Sequence, residues 1–435
     1  MKKEDRTKIL KIKIIISLVL VGLLLISFIF ADRLDKIFGF KVDPSEHQVS
    51  ASQIESSNYY VSYIDVGQGN STFIKLPDGK TMLIDGGDIS FGTTVAKFLD
   101  AHHVSSIDYL VASHSDSDHI GGLVYIMEHY EIKNVYRPFQ LATENDGNTV
   151  AEYEQLGPVY DYLQSITGNK SKMSKVKTKI YRDFIQDIYT ETYIVDSIEQ
   201  SCKVTVFYDG LKISGENYEI EFFAPLKRAG DIDLESYTTS TSGFATVGYG
   251  TSEANDNSSI LTVSCFDEKY LFMGDSRYYE GDSTATNYSE LDFINSLTDA
   301  EKTEMAKVDV LMVGHHGSKY STSRELLDMV LPRFVVVSCA AKNKYGHPHQ
   351  EALDRIAETS GLEKDYLLRT DTGGDIEFSN VDGGIKYSLS KKDKEQSIFI
   401  SYRVISTTVV VIVILTIFAI NPRSYRARNR RRKNY

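Results

Sequence analysis

The stretch "SHSDSDHIGG", Ser113 to Gly122, sets His114, Asp116, Asp118 and His119 within six residues and follows them at once with two glycines. Side chains of this kind cannot be buried without partners, and their sequence neighbours supply none. A divalent cation provides the compensating charge for imidazole and carboxylate together. The run follows "IDYLVAS", an apolar strand from Ile107, and precedes an apolar helix expected over Gly121 to Tyr130, so it lies where a strand ends. Two other strands end the same way: Asp275 follows "YLFMG", and His315 and His316 follow "VLMVG". Ligands drawn from three strand ends indicate one site assembled by the fold. Nitrogen and carboxylate donors suit zinc, manganese or iron, and the sequence does not choose among them. The glycines let the following helix begin close to the site.

Outward from this run, "YYVSYIDVGQGNSTFIKLPDGKTMLIDGG" alternates apolar and polar residues between Gly and Pro-Asp-Gly turns, which is the pattern of a β-meander. Thr94 to His103 reads as a helix and "KNVYRP" as a strand ended by Pro138. Residues 141–216 are less regular, with an amphipathic stretch near Ala151 to Ile166, and read as an insertion. "SYTTSTSGFATVGYGTSEAND" is a loop by composition. "SSILTVSC" and "KYLFMGDS" form a hairpin about Phe266-Asp267-Glu268, and three further strands alternate with helices at Ser323 to Val330 and His349 to Thr359. Two β-rich halves, each with helices, predict an α/β fold of two packed sheets with helices outside.

The ends read differently. Ile14 to Ala31 and Val404 to Ile420 are apolar and free of charge, close to the roughly 20 residues that cross a bilayer core. Residues 1–13 and 421–435 are basic, which predicts two transmembrane helices with both termini cytoplasmic, a linker over 32–57, and a domain over 58–395 on the extracellular face of the cell membrane. The basic C-terminal tail would also meet anionic lipids. The chain carries a formal charge of −12 despite these tails, so the outer domain is strongly acidic and repels polyanions unless a cation or a basic patch intervenes. Lys170, Lys172, Lys175, Lys177 and Lys179 are the one obvious patch, and a solvated loop is the better explanation of them. Cys202, Cys265 and Cys339 lie in apolar runs without CxxC spacing, which excludes a thiolate zinc site and reads as buried thiols.

The motifs taken together resemble the metallo-β-lactamase fold family, with its H-x-H-x-D-H signature, and within it the extracellular hydrolase domains of ComEC-type competence proteins, where the second histidine is aspartate as at Asp116. "IDVGQGN", "LIDGG", "NDNSSIL", "MGDS", "HHGSKYSTS" and "NKYGHP" carry the likeness in order over most of residues 58–380. The resemblance implies a four-layer αββα sandwich binding one or two divalent ions, zinc or manganese. It implies His114 and Asp116 on a first metal, Asp118 and His119 on a second, Asp275 bridging them, and His316 closing the second site. His315 would then contact substrate and Asp118 would orient the attacking water. Ser318, Lys319, Ser321 and His347 would be further substrate donors, and Asp85 a buttress behind the ligands, although turn capping alone would explain Asp85. The pattern departs from the family in one place: no histidine lies between His129 and His315, where a further ligand is expected.

The implied function is a membrane-anchored, extracellular, metal-dependent hydrolase acting on a phosphodiester, either nucleic acid such as DNA or a teichoic-acid-type cell-wall polymer. "HHGS" and Asp116 point away from β-lactams. The reading from a different class is a metal-binding surface module, for binding or sensing, whose hydrolase site has decayed.

Overall fold

The computed structural model describes residues 47–138, 141–142, 175–176, 178–223, 254–255, 258–278, 290–359, 362 and 366–391. They belong to one unit, His47–Asp393; the other unit, Met1–Glu46 with Lys394–Tyr435, lies outside them. The two apolar runs, both basic tails, the stretch Ala151 to Ile166 and nearly all of the Ser/Thr-rich loop therefore fall outside the described residues. Among the described residues no helix is long and apolar enough to cross a membrane.

The meander forms as its alternation predicts: β1 (Tyr60–Tyr63), β2 (Thr72–Lys75) and β3 (Thr81–Ile84) pair antiparallel. Helices α1 (Gly92–Ala101) and α2 (Ser117–Met127) then carry the chain to β4 (Tyr109–Val111) and β5 (Asn134–Arg137), each parallel to its neighbour. After helix α3 (Lys179–Thr190), β6 (Lys203–Val206) extends this sheet in parallel. A second sheet runs β7 (Leu211–Gly215), β8 (Tyr218–Phe223), β9 (Ile260–Cys265), β10 (Glu268–Phe272), β11 (Val310–Met312), β12 (Phe334–Val337) and β13 (Leu367–Arg369), antiparallel in its first half and parallel in its second. The chain then returns to the first sheet as β14 (Ile376–Val381) and β15 (Gly384–Leu389), beside β1, completing eight strands against seven.

Four layers follow from strand alternation, because neighbouring residues face opposite sides of a sheet. Met82 and Ile84, Val111, Phe272, Met312 and Val336 bury into the core between the sheets. Their neighbours Leu83 and Leu110 pack outward under α1, α2 and α3, against Leu99, Leu123, Ile126 and Phe184. Leu271, Leu311, Val335 and Val337 pack outward on the other side against Phe293, Leu326 and Ile356, which belong to helices Glu290–Ser296, Arg324–Val330 and Gln350–Ala357. Strands covered on both faces read as the short continuous apolar runs seen in the sequence.

Two expectations need correction. Helix α2 begins at Ser117 rather than Gly121, so Asp118 and His119 occupy its first turn and the glycines lie inside the helix. Their role is close packing: a Cβ on Gly122 would overlap the carbonyl of Gly86, and one on Gly121 would overlap the backbone at Ile89. Residues 178–215, expected to be irregular, form α3 and a series of strands, two of which join the main sheets. Of the three cysteines, all free, Cys265 and Cys339 are buried and Cys202 is half-buried.

Candidate metal centre

Strands β3, β4, β10 and β11 end at one edge of the sandwich, and each delivers a residue of the centre just beyond its last residue. Asp116 takes the N-cap position of α2, with φ −73° and ψ 146°, so Asp118 sits in the first turn, where the positive end of the helix favours a carboxylate. The motif loops hold that turn in place. Gly86 N–H donates to the His119 carbonyl at 2.6 Å and Asn70 N–H to the Asp118 carbonyl at 3.2 Å. "LIDGG" and "IDVGQGN" thus act as a cradle for the histidine motif.

Asp275 is the hub. It is almost fully buried, and its two oxygens face different imidazoles. Oδ1 lies 3.1 Å from His119 Nε2 and 3.7 Å from His316 Nε2; Oδ2 lies 3.8 Å from His114 Nε2 and 3.7 Å from His315 Nε2. Asp118 Oδ2 is 3.4 Å from His316 Nε2, and Asp116 Oδ2 is 3.8 Å from His114 Nε2. Two groups of donors, His114 with His119 and Asp275, and Asp118 with His119 and His316, have their ligand atoms within 4.8 Å of one another.

The fit to a cation can be judged from the imidazole nitrogens. His119 Nδ1 is 2.7 Å from Asp85 Oδ2, His316 Nδ1 is 3.1 Å from the Ser338 carbonyl and His114 Nδ1 is 3.0 Å from Ser113 Oγ. A partner on Nδ1 fixes the ring with Nε2 as the free donor, which is how metal-ligating histidines are held. The Nε2 atoms of all three, and Asp275 Oδ1, are buried with no hydrogen-bond partner. Donor atoms converging on one another in a buried site would be satisfied by a cation between them, and these residues fit a divalent metal.

The electrostatics agree. Burial, reinforced by the neighbouring His119, pulls His114 down to about 3 and keeps it neutral. Burial with the nearby Asp275 and Asp118 carboxylates pushes Asp116 up to about 7. Burial works against ionised Asp275, but the surrounding His119, His316 and His315 outweigh it and hold the carboxyl well below its ordinary range.

The structure brings together His114, Asp116, Asp118, His119, Asp275, His315 and His316, with Asp85 directly behind His119. His347 joins them, its ring 5.2 Å from that of His315. Lys319 lies at the rim, its Nζ 5.0 Å over the exposed Tyr320 ring. Ser318 and Ser321 are both buried and take part in the loop's own hydrogen bonds. Ser321 Oγ donates to the carbonyls of Gly314 and Ser318, and Ser318 Oγ accepts from Tyr320 N–H. Sequence reasoning missed Ser338, whose carbonyl orients His316, and gave no role to Asn255, whose Nδ2 lies 3.3 Å from His315 Nε2. Asn255 belongs to the "NDNSSIL" motif, so a signal existed; Ser338 is marked only by following β12.

Comparison with known proteins yields a match of residues 64–341 to the metallo-beta-lactamase superfamily. ComE operon protein 3 of Bacillus subtilis (strain 168) is 24% identical over 340 residues, covering 74% of this chain and 33% of that protein. Competence protein ComA of Neisseria gonorrhoeae is 39% identical over 77 residues, covering 18% of this chain and 11% of that one. The chain thus spans about a third or less of the length of these relatives. Among solved structures, the metallo-beta-lactamase fold protein YhfI from Bacillus subtilis aligns over 73% of this chain and 99% of its own, with 10% identity and a TM-score of 0.37.

Proposed function

This chain belongs to the metallo-β-lactamase superfamily of metal-dependent hydrolases, and we propose that it cleaves phosphodiesters at the outer face of a cell membrane. The observation that carries the reading is Asp275, a buried carboxylate whose two oxygens each face imidazole donors from different strand ends. One or two bound divalent cations would lower the pKa of a water and polarise the group under attack.

The protein's own groups do the rest. Burial opposes ionisation of Asp118, yet its contact with His316 and the nearby His119 hold its carboxyl below the ordinary range, so it stays ionised to accept a hydrogen from the attacking water. Burial and the neighbouring imidazoles pull His347 down to about 4, leaving it neutral beside Gln68, whose Nε2 is 3.4 Å away. Two pairs near the centre support nucleic acid as the substrate. Lys319 covers the Tyr320 ring at 5.0 Å and Lys344 the Tyr345 ring at 4.8 Å, and both tyrosines are exposed. Ammonium groups with exposed rings suit phosphates and planar bases. The two apolar runs and basic tails support the membrane anchor and the outward-facing domain.

The test is hydrolysis of bis-p-nitrophenyl phosphate by the full chain loaded with manganese or zinc, with Asp275→Ala alongside. Metal-dependent turnover that the substitution abolishes is the expected result. A folded, metal-loaded chain that turns over with neither ion would refute the phosphodiesterase reading.

A further inference from the structure

The loop that follows His316 is gripped by two charged side chains from separate helices. Arg355, in the helix Gln350–Ala357, turns its fork onto backbone carbonyls: Nε donates to Thr322 at 3.1 Å, and Nη2 donates to Lys319 at 2.9 Å and to Ser321 at 2.8 Å. The guanidinium also lies 5.1 Å over the ring of Tyr278, whose N–H donates to the Tyr320 carbonyl at 2.8 Å. Glu290, fully buried at the start of the helix Glu290–Ser296, accepts the N–H of Thr322 and, at 2.7 Å, that of Ser323. Of the remaining amides, Lys319 N–H donates to His349 Nδ1 at 3.1 Å, Tyr320 N–H to Ser318 Oγ at 3.3 Å and Ser321 N–H to the Ser318 carbonyl at 3.0 Å. Every backbone N–H and C=O from Lys319 to Thr322 therefore has a protein partner, while the Tyr320 side chain is exposed with Lys319 Nζ over its ring.

Two costs are concentrated on this short loop. Glu290 is a carboxyl withdrawn from water, which destabilises the fold unless it is paired. Thr322 is a β-branched residue at φ 59°, in the left-handed region such residues avoid. Capping the helix Arg324–Val330 does not demand either, because the Ser323 side chain already accepts from Leu326 N–H at 3.2 Å. Strain of this kind persists where the surroundings over-determine it, and it collects at ligand clamps. An arginine fork spread over three carbonyls of one loop specifies the shape of that loop.

We infer that Arg355 and Glu290 are positioning residues of the proposed hydrolase, which hold Lys319 and Tyr320 in place for a strand of nucleic acid bound beside the centre. The inference rests on the phosphodiesterase reading, and both residues act through the loop. A loop ordered before substrate arrives removes an entropic cost from binding, so loosening it should raise KM and leave kcat in place.

The test compares the manganese-loaded full chain with Arg355→Gln and Glu290→Gln, each shown to be folded by circular dichroism. Hydrogen exchange, read by mass spectrometry on peptides covering residues 317–323, reports the loop without any turnover. Each substitution should speed exchange there about 10-fold or more, the effect of losing hydrogen bonds to a charged group. KM for a single-stranded oligonucleotide should rise about 10-fold with kcat held. Arg355→Lys should remain impaired, because a single ammonium cannot span three carbonyls as the planar fork does. In a chain that already carries Lys319→Ala and Tyr320→Ala, Arg355→Gln should raise KM no further. Unchanged exchange, a looser loop with wild-type KM, or the same rise in KM without Lys319 and Tyr320 would overturn the assignment. A folded, metal-loaded wild-type chain without turnover would refute the phosphodiesterase reading and with it the substrate role, whereas exchange alone would still decide whether the two residues clamp the loop.

Discussion

Gly122→Ala tests the claim that the glycines after the histidine motif exist for packing. The added methyl would overlap the carbonyl oxygen of Gly86 and stand 2.9 Å from its carbonyl carbon and 3.2 Å from Gly92 Cα. Carbon atoms normally meet at about 3.5–4.0 Å, so α2 must retreat by roughly 0.5–1 Å or more. Every atom in the way is backbone and cannot rotate aside. Overpacking of this kind costs about 1–3 kcal/mol, and the immovable neighbours place it at the upper end. The better helix propensity of alanine returns about 1 kcal/mol, leaving a net loss of about 2 kcal/mol. The larger effect falls on the centre, because α2 carries Asp118 and His119 in the turn that Gly86 N–H grips at 2.6 Å. A misplacement near 1 Å costs on the order of 100-fold in rate. Thermal melts and hydrolysis rates of the metal-loaded full chain would be compared with Gly384→Ala, where a Cβ meets nothing within 4 Å. A Gly122→Ala chain that melts and turns over as the control does would refute the packing account.

Three other expectations come from single contacts. Asp85→Asn removes the carboxylate that holds His119 Nδ1 at 2.7 Å; metal Kd, followed by dialysis, should weaken about 10–100-fold, and an unchanged Kd would remove Asp85 from the centre. Tyr345→Ala with Lys344→Ala should raise KM for a single-stranded oligonucleotide about 10-fold with kcat held, since one stacked base is worth about 1–3 kcal/mol; equal KM would remove the rim from substrate binding. His102 sits 3.3 Å from Glu377, and although burial lowers its pKa, Glu377, the Phe98 carbonyl and Glu55 raise it overall. Its stabilising protonation is therefore complete below about pH 6.5 and is lost as pH rises through the higher folded value. Melts across that window should decline more gently in His102→Gln, and parallel declines would assign the pH dependence elsewhere.

The elements legible in the sequence are those whose burial is two-sided. Runs such as "YLVAS" and "FVVVSC" have no polar face, so their length and the Gly, Pro and Asp at their ends mark them as strands. The start of α2 was hidden for the opposite reason. Its first turn is spent on Asp118 and His119, and apolar periodicity sets in only afterwards, although Asp116 is an ordinary N-cap residue. Residues 192–201 form a hairpin exposed on almost every side chain, which leaves no alternation to read. The candidate ligands were visible as types at strand ends. The convergence of His315 and His316 was not, because it depends on two left-handed φ angles that histidine, unlike glycine, does not announce. Ser321 shows how a hydroxyl in a site motif can turn inward onto the loop's own carbonyls, which its sequence position does not reveal.

Neither sheet owns the centre, and this ties metal binding to closure of the sandwich. Asp85 and the residues from His114 to His119 follow strands of the first sheet; Asp275, His315 and His316 follow strands of the second. The seam between them is sewn by a few hydrogen bonds at that edge, from Ser259 N–H to the Ser113 carbonyl at 3.0 Å and from Ser338 Oγ to the Gly69 carbonyl at 2.7 Å. Against these stands the burial of two carboxylates, Asp85 and Asp275, at several kcal/mol each unless they are compensated. Asp85 is compensated within the first sheet's own loops, by Ser113 N–H at 2.8 Å, Ser113 Oγ at 2.7 Å and His119. Asp275 Oδ1 has no hydrogen-bond partner and faces His119 of the opposite sheet at 3.1 Å and His316 of its own at 3.7 Å. A cation held by Asp275 and the histidines of both sheets would therefore also keep the two sheets in register at this edge, and its binding energy would contribute to the fold as well as to the chemistry.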